Sequence, residues 1–133
     1  MAEDLKLYLE EIKFEKYLAK LKKKLKNKKV VVYGAGSLFQ YIKNNYDISS
    51  LNIIGISDMK FKLKDEINEF MGYKIIAREN IANANPDVVL VATLEYLTLV
   101  EGFMLRDFKN TKTKVYPLAR IPFWQMIVRI WNR

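Results

Sequence analysis

The sequence predicts an α/β fold in which five parallel strands form one sheet and helices cover both of its faces. Two runs, residues 30–33 and 87–93, are apolar and rich in β-branched side chains, as is typical of strands buried on both faces. A glycine turn, residues 34–37, directly follows the first run, and residues 38–45 have the pattern of a helix. A strand, a glycine turn and a helix in this order are typical of domains in which parallel strands alternate with helices.

The other strands are predicted at residues 51–57, 73–77 and 114–118. Helices are predicted at residues 78–84 and 95–108, and Asn85-Pro86 ends the first of them. Because parallel strands are joined by right-handed crossovers, this succession predicts the sheet order 3-2-1-4-5.

One long helix is predicted over residues 2–26. Its apolar positions recur at helical spacing, namely Leu7, Phe14, Leu18, Leu21 and Leu25, with Leu5, Leu9 and Ile12 widening the apolar face. Acidic residues lie near its start and a lysine cluster, residues 22–24 and 26, lies near its end, an order that suits the helix dipole. The lysines are compatible with nucleic-acid binding, but a solvated helix end is the favoured interpretation.

Length and composition limit the chemistry. The chain has 133 residues, which predicts a single domain with an N-terminal helix (1–27), a core (28–118) and a C-terminal helix (119–133). It has no Cys and no His, so thiolate nucleophiles, hydrolase triads and zinc sites are not expected. No catalytic constellation stands out. With no signal peptide and no apolar run long enough to span a membrane, a cytoplasmic protein is expected.

The glycine turn predicts a site for a phosphate-bearing ligand. Glycines let the backbone turn tightly and approach a ligand closely, and the N–H groups at the start of a helix favour an anion. We therefore expect ligand contacts at the amides of Ala35, Gly36, Ser37 and Leu38. The dinucleotide pattern has a small third residue, whereas this chain has Phe39 there, whose ring would displace the helix. A purely structural turn is the alternative interpretation.

Asp58 ends the second predicted strand, about 20 residues beyond the glycine turn, where nucleotide-binding folds place the acceptor of the ribose hydroxyls. A cap of a turn or helix explains it equally well. The ligand crevice is expected above the carboxyl ends of strands one and four, where the strand order reverses. Its predicted lining is Gly34, Gly36, Ser37, Asp58, Thr93 and Glu95.

Four segments in this order, YGAGS, IIGISD, GYKII and PDVVLVAT, resemble the small Rossmann-like domains of bacterial surface-polysaccharide enzymes. Such domains occur at the N-terminus of sugar O-acyltransferases and in nucleotide-sugar dehydratases. The resemblance covers residues 28–118 and implies that Gly34, Gly36 and Ser37 hold the phosphate of a nucleotide-sugar or NAD(P), and that Asp58 holds a ribose. No dehydratase or acyltransferase motif is present, so the chain is expected to be an accessory or detached part of a glycan-synthesis enzyme, without catalysis of its own.

Two other classes of protein remain open. Small methyltransferases that use S-adenosylmethionine also place G-x-G after the first strand and an acid after the second, but they normally add two antiparallel strands, for which no hairpin signal follows Leu118. The other alternative is an interaction module that has lost its ligand.

The C-terminal segment, residues 119–133, predicts a helix that is apolar nearly all round and includes Trp124 and Trp131. A helix of this kind must be buried. A twofold homodimer is the favoured outlet, and a missing partner domain or docking on the chain's own domain are alternatives. A membrane surface is a further alternative, because Arg120, Arg129 and Arg133 could meet anionic headgroups.

Overall fold

The computed structural model describes residues 2–61, 68–93, 106–109 and 111–119. The helices and strands of these residues are, in chain order, α1 (Ala2–Glu11), α2 (Phe14–Lys24), β1 (Val30–Tyr33), α3 (Ser37–Asn45), β2 (Ile53–Ser57), β3 (Glu69–Phe70), β4 (Tyr73–Lys74), β5 (Val88–Val91) and β6 (Lys114–Pro117). Two short 3₁₀ turns, Arg78–Asn80 and Ala82–Ala84, precede β5.

A parallel sheet of four strands in the order β2-β1-β5-β6 forms the centre of the molecule. The two inner strands, β1 and β5, are buried at all four of their positions, as their uninterrupted apolar runs predict. The predicted α/β class and parallel sheet are therefore confirmed, and the described residues contribute four strands to the sheet where five were predicted.

The predicted third strand, residues 73–77, does not form a ladder with the sheet. Its first two residues form β4, which pairs with β3 in an antiparallel hairpin. Met71 and Gly72 connect the two, both at positive φ, as two-residue hairpin turns require. The chain then touches β2 through one parallel bridge, Ile56 to Ile75. The hairpin thus takes the backbone groups that a fifth strand would have offered to β2.

The predicted N-terminal helix is two helices. Lys13 has φ +55° and ψ +53°, a left-handed conformation that ends α1 and redirects the chain into α2. The turn also changes which residues are buried, since Leu5 and Leu9 of α1 are in the core whereas Leu7 is 63 % exposed. The prediction of a single apolar face that includes Leu7 was therefore wrong.

Each face of the sheet has its own apolar cluster. Val30, Val32 and Leu90 point to the face covered by α1, α2 and α3, where Phe14 and Phe39 are among the largest fully buried side chains. The other face is covered by the segment with the 3₁₀ turns and by Phe108. The buried residues of its apolar cluster are Val31, Tyr33, Ile76, Ile81, Val89, Val91, Phe108 and Val115. The N-terminal helices therefore cover one face of the chain's own sheet.

Two predicted helices lie largely outside the described residues. Of the helix at 95–108, only residues 106–108 belong to the described part of the chain, and the C-terminal helix with Trp124 and Trp131 lies outside it. Among the described helices, none combines the length and the apolar character that crossing a membrane requires.

Candidate functional site

A cleft of about 310 Å³ opens at the carboxyl ends of β1, β2 and β5. Its lining comes from the glycine turn, the start of α3, the residues that follow β2 and β5, and α1, namely Leu5, Gly34, Gly36, Ser37, Leu38, Asp58, Ala92 and Thr93. The predicted crevice residues Gly34, Gly36, Ser37, Asp58 and Thr93 are thus brought together, while Glu95 lies outside the described residues. We refer to this space as the glycine cleft.

Gly34 is required by the fold itself. Its φ is +118°, and a Cβ there would lie 2.6 Å from the carbonyl oxygen of Ala92. Its N–H donates to the Ser57 carbonyl over 2.8 Å, and the Ala92 N–H donates to the Tyr33 carbonyl over 2.8 Å. The turn is therefore fixed between β2 and β5, and only glycine fits this position.

We expect Gly34→Ala to lower the free energy of unfolding by about 2 to 3 kcal/mol, because the new Cβ meets backbone and the left-handed conformation is strained. Urea denaturation measures the change. The matched control is Gly36→Ala, which adds the same methyl group two residues later, where nothing lies within 4 Å of the ideal Cβ. An equal loss in both variants would contradict the assignment of the steric requirement to Gly34.

Gly36 stands in open space at the start of α3. Its φ of −90° and ψ of −159° are extended values that any residue can adopt. Within the described residues no side chain caps the first turn of α3, so the N–H groups of Ser37, Leu38 and Phe39 have no acceptor inside the helix. Gly36 and Ser37 are exposed and line the cleft together with Leu38, whereas Phe39 is fully buried. The amides of Ser37 and Leu38 are therefore the ones that a ligand in the cleft could reach.

Asp58 caps the glycine turn. Its Oδ2 accepts a hydrogen bond from the Ala35 N–H over 2.7 Å, and its Oδ1 accepts one from the Lys60 N–H over 3.0 Å. The cap, one of the two interpretations of Asp58, is therefore present in the structure. Of the four amides predicted to contact a ligand, that of Ala35 is therefore engaged by Asp58 in this structure.

Lys60 completes the enclosure of Ala35. Its Nζ donates to the Ala35 carbonyl over 2.9 Å, and Gln40 Nε2 donates to the same oxygen over 3.1 Å. Both polar backbone groups of Ala35 are thereby satisfied by side chains. One carboxylate and one ammonium therefore lie beside the turn.

The chemistry of the cleft follows from this arrangement. Two bonds leave the Asp58 carboxylate further lone pairs that can accept bonds from hydroxyl groups. The first turn of α3 offers N–H donors and the positive end of a helix dipole to an anion. The cleft therefore suits a ligand with hydroxyl donors at one end and a phosphate group at the other.

Sequence analysis missed two contributors to this site. Leu5 of α1 lines the cleft, and its position depends on the break at Lys13, which the prediction of one straight helix left out. Lys60 belongs to a charged segment that the sequence favours as a solvated loop, with contact to a ligand phosphate as the alternative. In the structure it lies two residues after Asp58 and reaches the same turn.

Another cleft, of about 360 Å³, is lined by Arg78, Glu79, Ala82 and Asp107. Its guanidinium is neutralised, because Arg78 Nε lies 3.3 Å from Asp107 Oδ2. Burial raises the pKa of the neighbouring Tyr33 hydroxyl, with the charge of Arg78 acting in the opposite direction. Within the described residues, no group of acidic side chains is arranged to hold a metal ion. This cleft is therefore a weaker candidate for an anion-binding site than the glycine cleft.

Comparison with known proteins gives one family. The family model described as C2185-like, N-terminal, matches residues 26–108, which is more than half of the chain, and the chain therefore belongs to this family. The match begins just before β1 and contains the glycine turn, Asp58 and β5. No curated protein matches the sequence.

Proposed function

We propose that this member of the C2185-like N-terminal family binds a nucleotide or a nucleotide-sugar in the glycine cleft. One observation carries the proposal: the same cleft contains the start of α3 and the Asp58 carboxylate. No described side chain caps that helix start, and Gly36 leaves open space next to it. Ligands of parallel α/β sheets bind at the carboxyl ends of the strands, where this cleft lies.

The roles follow from the contacts. The amides of Ser37 and Leu38 receive a phosphate group, and the free lone pairs of Asp58 receive ribose hydroxyls. Thr93, which ends the opposite wall of the cleft, contacts the sugar or the base. In this proposal the fold is Rossmann-like, and residues 73–77, which touch β2 at one bridge, represent a reduced edge strand of the order 3-2-1-4-5.

Phe39 favours a nucleotide-sugar over NAD(P) as the ligand. The dinucleotide pattern has a small third residue, whereas in this chain the ring of Phe39 takes that place and is fully buried in the core. We therefore propose that the domain serves bacterial polysaccharide or glycan synthesis as a binding module whose catalytic partner is another domain or protein.

A thermal-shift screen tests the proposal. Nucleotides, nucleotide-sugars, NAD, NADP and S-adenosylmethionine are added at millimolar concentration to the full chain. A nucleotide or nucleotide-sugar is expected to raise the melting temperature, since a ligand at 100 times its Kd adds about 2.7 kcal/mol to stability. A rise with S-adenosylmethionine alone would favour the methyltransferase, and no rise with any compound would favour an interaction module.

Calorimetry with two of these compounds, NAD and NADP, tests the role of Asp58. A ribose that donates hydroxyl groups to this carboxylate should be preferred over a ribose 2′-phosphate, because two negative charges would otherwise meet. NAD is therefore expected to bind more tightly than NADP when both are titrated by calorimetry. Tighter binding of NADP would remove Asp58 from contact with the ribose.

A further inference from the structure

The surface around the amino ends of the strands, opposite the glycine cleft, is strongly basic. From residue 16 to residue 46 the chain has no Asp or Glu, while nine lysines lie in that span. We define the lysine edge as the exposed lysines around the amino ends of β1 and β6, which are Lys23, Lys24, Lys26, Lys28, Lys29, Lys112 and Lys114.

The fold brings these lysines together from two distant parts of the chain. The end of α2 leads into β1 through a loop held by bonds from the Lys26 N–H to the Lys23 carbonyl and from the Lys28 N–H to the Leu25 carbonyl. In the sheet register, Val30 pairs with Val88, and Val88 pairs with Lys114. The amino ends of β1 and β6 are thus two strand spacings apart, roughly 10 Å.

Nearby carboxylates balance only part of this charge. Asp87 Oδ2 accepts a bond from the backbone N–H of Lys29 over 2.7 Å and caps the start of the sheet. Asp47 lies to one side, where bonds from Ser49 and then the charges of Lys22 and Lys43 lower its pKa. In the portions of the chain given above, no ammonium of the lysine edge pairs with a carboxylate.

The composition of the edge decides which polyanion it fits. All its cations are lysines, which act as point charges, whereas nucleic-acid recognition favours the planar guanidinium of arginine. The ring of Tyr116 is covered by the Lys24 ammonium, 3.9 Å from its centroid, and so is not open for base stacking. Clusters of four to eight lysines and arginines at a membrane surface attract anionic lipid headgroups, and the lysine edge has seven lysines, two of them on the amphipathic helix α2.

We propose that the lysine edge binds the surface of a membrane that contains anionic phospholipids. In this orientation the glycine cleft, at the carboxyl ends of the strands, faces away from the membrane and stays open to its ligand. The contact is electrostatic and lies on the surface of the bilayer, and it does not depend on which ligand the cleft binds.

Vesicle flotation tests this proposal with the full chain. Binding is measured to vesicles of phosphatidylcholine alone and of phosphatidylcholine mixed with phosphatidylglycerol. The test variant carries Lys26→Gln, Lys28→Gln and Lys112→Gln. The control variant carries Lys6→Gln, Lys16→Gln and Lys74→Gln, which remove the same charge from exposed positions away from the edge.

The wild-type chain and the control should bind only the anionic vesicles, and less so as salt rises to ~0.15 M and above. The edge variant should lose on the order of 100-fold in partitioning, since each lysine near an anionic surface contributes roughly fivefold. Thermal melting confirms that both variants are folded.

Three results would overturn the proposal. Equal losses in the two variants would show that vesicle binding depends on the net charge of the protein and not on the lysine edge. Equal binding to neutral and anionic vesicles would show that the charge of the lipid is not recognised. Tighter binding of a single-stranded RNA than of anionic vesicles, lost in the edge variant, would assign the edge to nucleic acid.

Discussion

Replacing Phe39 with alanine is expected to lower the free energy of unfolding by about 3 to 5 kcal/mol, the range for truncating a fully buried aromatic side chain. The Phe39 side chain is fully buried between α3 and the sheet. Its ring also meets that of Tyr73 in an edge-on contact, with centroids 6.0 Å apart at 65°, which adds to the loss. Urea denaturation measures the change, since the urea midpoint falls with stability when the slope is constant.

Two further variants make this result specific. Phe39→Leu keeps most of the volume and should cost about 1 to 2 kcal/mol. Phe61→Ala removes the same ring from a half-exposed position, where it packs on Phe70 with centroids 5.5 Å apart, and should cost only about 1 kcal/mol. If Phe39→Ala cost no more than Phe61→Ala, the ring would not belong to the core.

Phe39 also explains why the dinucleotide pattern alone misjudges this chain. In that pattern a small third residue lets the helix approach the strand closely. Here the ring fills the space between α3 and the sheet and reaches Tyr73, which the β3–β4 hairpin places over it. Tyr73, from a segment distant in sequence, thus packs where the pattern has only a close contact between helix and strand. The local sequence around Phe39 does not reveal where that segment lies.

The inner strands β1 and β5 and the turn between β1 and α3 were predictable because their signals are local. An uninterrupted apolar run rich in β-branched residues is typical of the middle of a sheet, and β1 and β5 are buried at all of their positions. A glycine directly after such a run marks a turn, and Gly34 has the positive φ that only glycine adopts freely.

The break between α1 and α2 was missed although the sequence carries a sign of it. Leu5, Leu9 and Ile12 follow helical spacing, and so do Phe14, Leu18 and Leu21, but the second series does not continue the first in phase. A straight helix would turn one of these stripes to solvent. The left-handed Lys13 lets both stripes face the core, and Leu5 thereby reaches the glycine cleft.

The edge of the sheet beyond β2 could not be predicted from propensity. Residues 73–77 contain the apolar and aromatic residues of a strand, but whether they pair with β2 or with β3 depends on the turn at Met71-Gly72. Strand propensity describes a fit to a half-buried surface and does not select the partner. The hairpin has the shorter loop to close, which lowers its entropic cost.

Gly36→Val is expected to abolish binding of the nucleotide or nucleotide-sugar found in the screen while leaving the protein folded. The branched side chain would fill the open space next to the start of α3, where an ideal Cβ has no neighbour within 4 Å. Losing bonds from two backbone amides to a phosphate, each worth roughly 1.5 to 3 kcal/mol, corresponds to at least about 100-fold in Kd. Calorimetry measures the loss.

A second substitution separates ligand binding from helix stability, because valine is a poor residue at the start of a helix and should itself cost about 1 kcal/mol. Gly36→Asp supplies a favourable cap whose carboxylate occupies the same amides, so it should keep or raise the melting temperature and still exclude the phosphate. Ser50→Asp adds the same charge in an exposed turn before β2 and should bind the ligand normally. Unchanged affinity in Gly36→Asp would show that the ligand does not use the amides of α3.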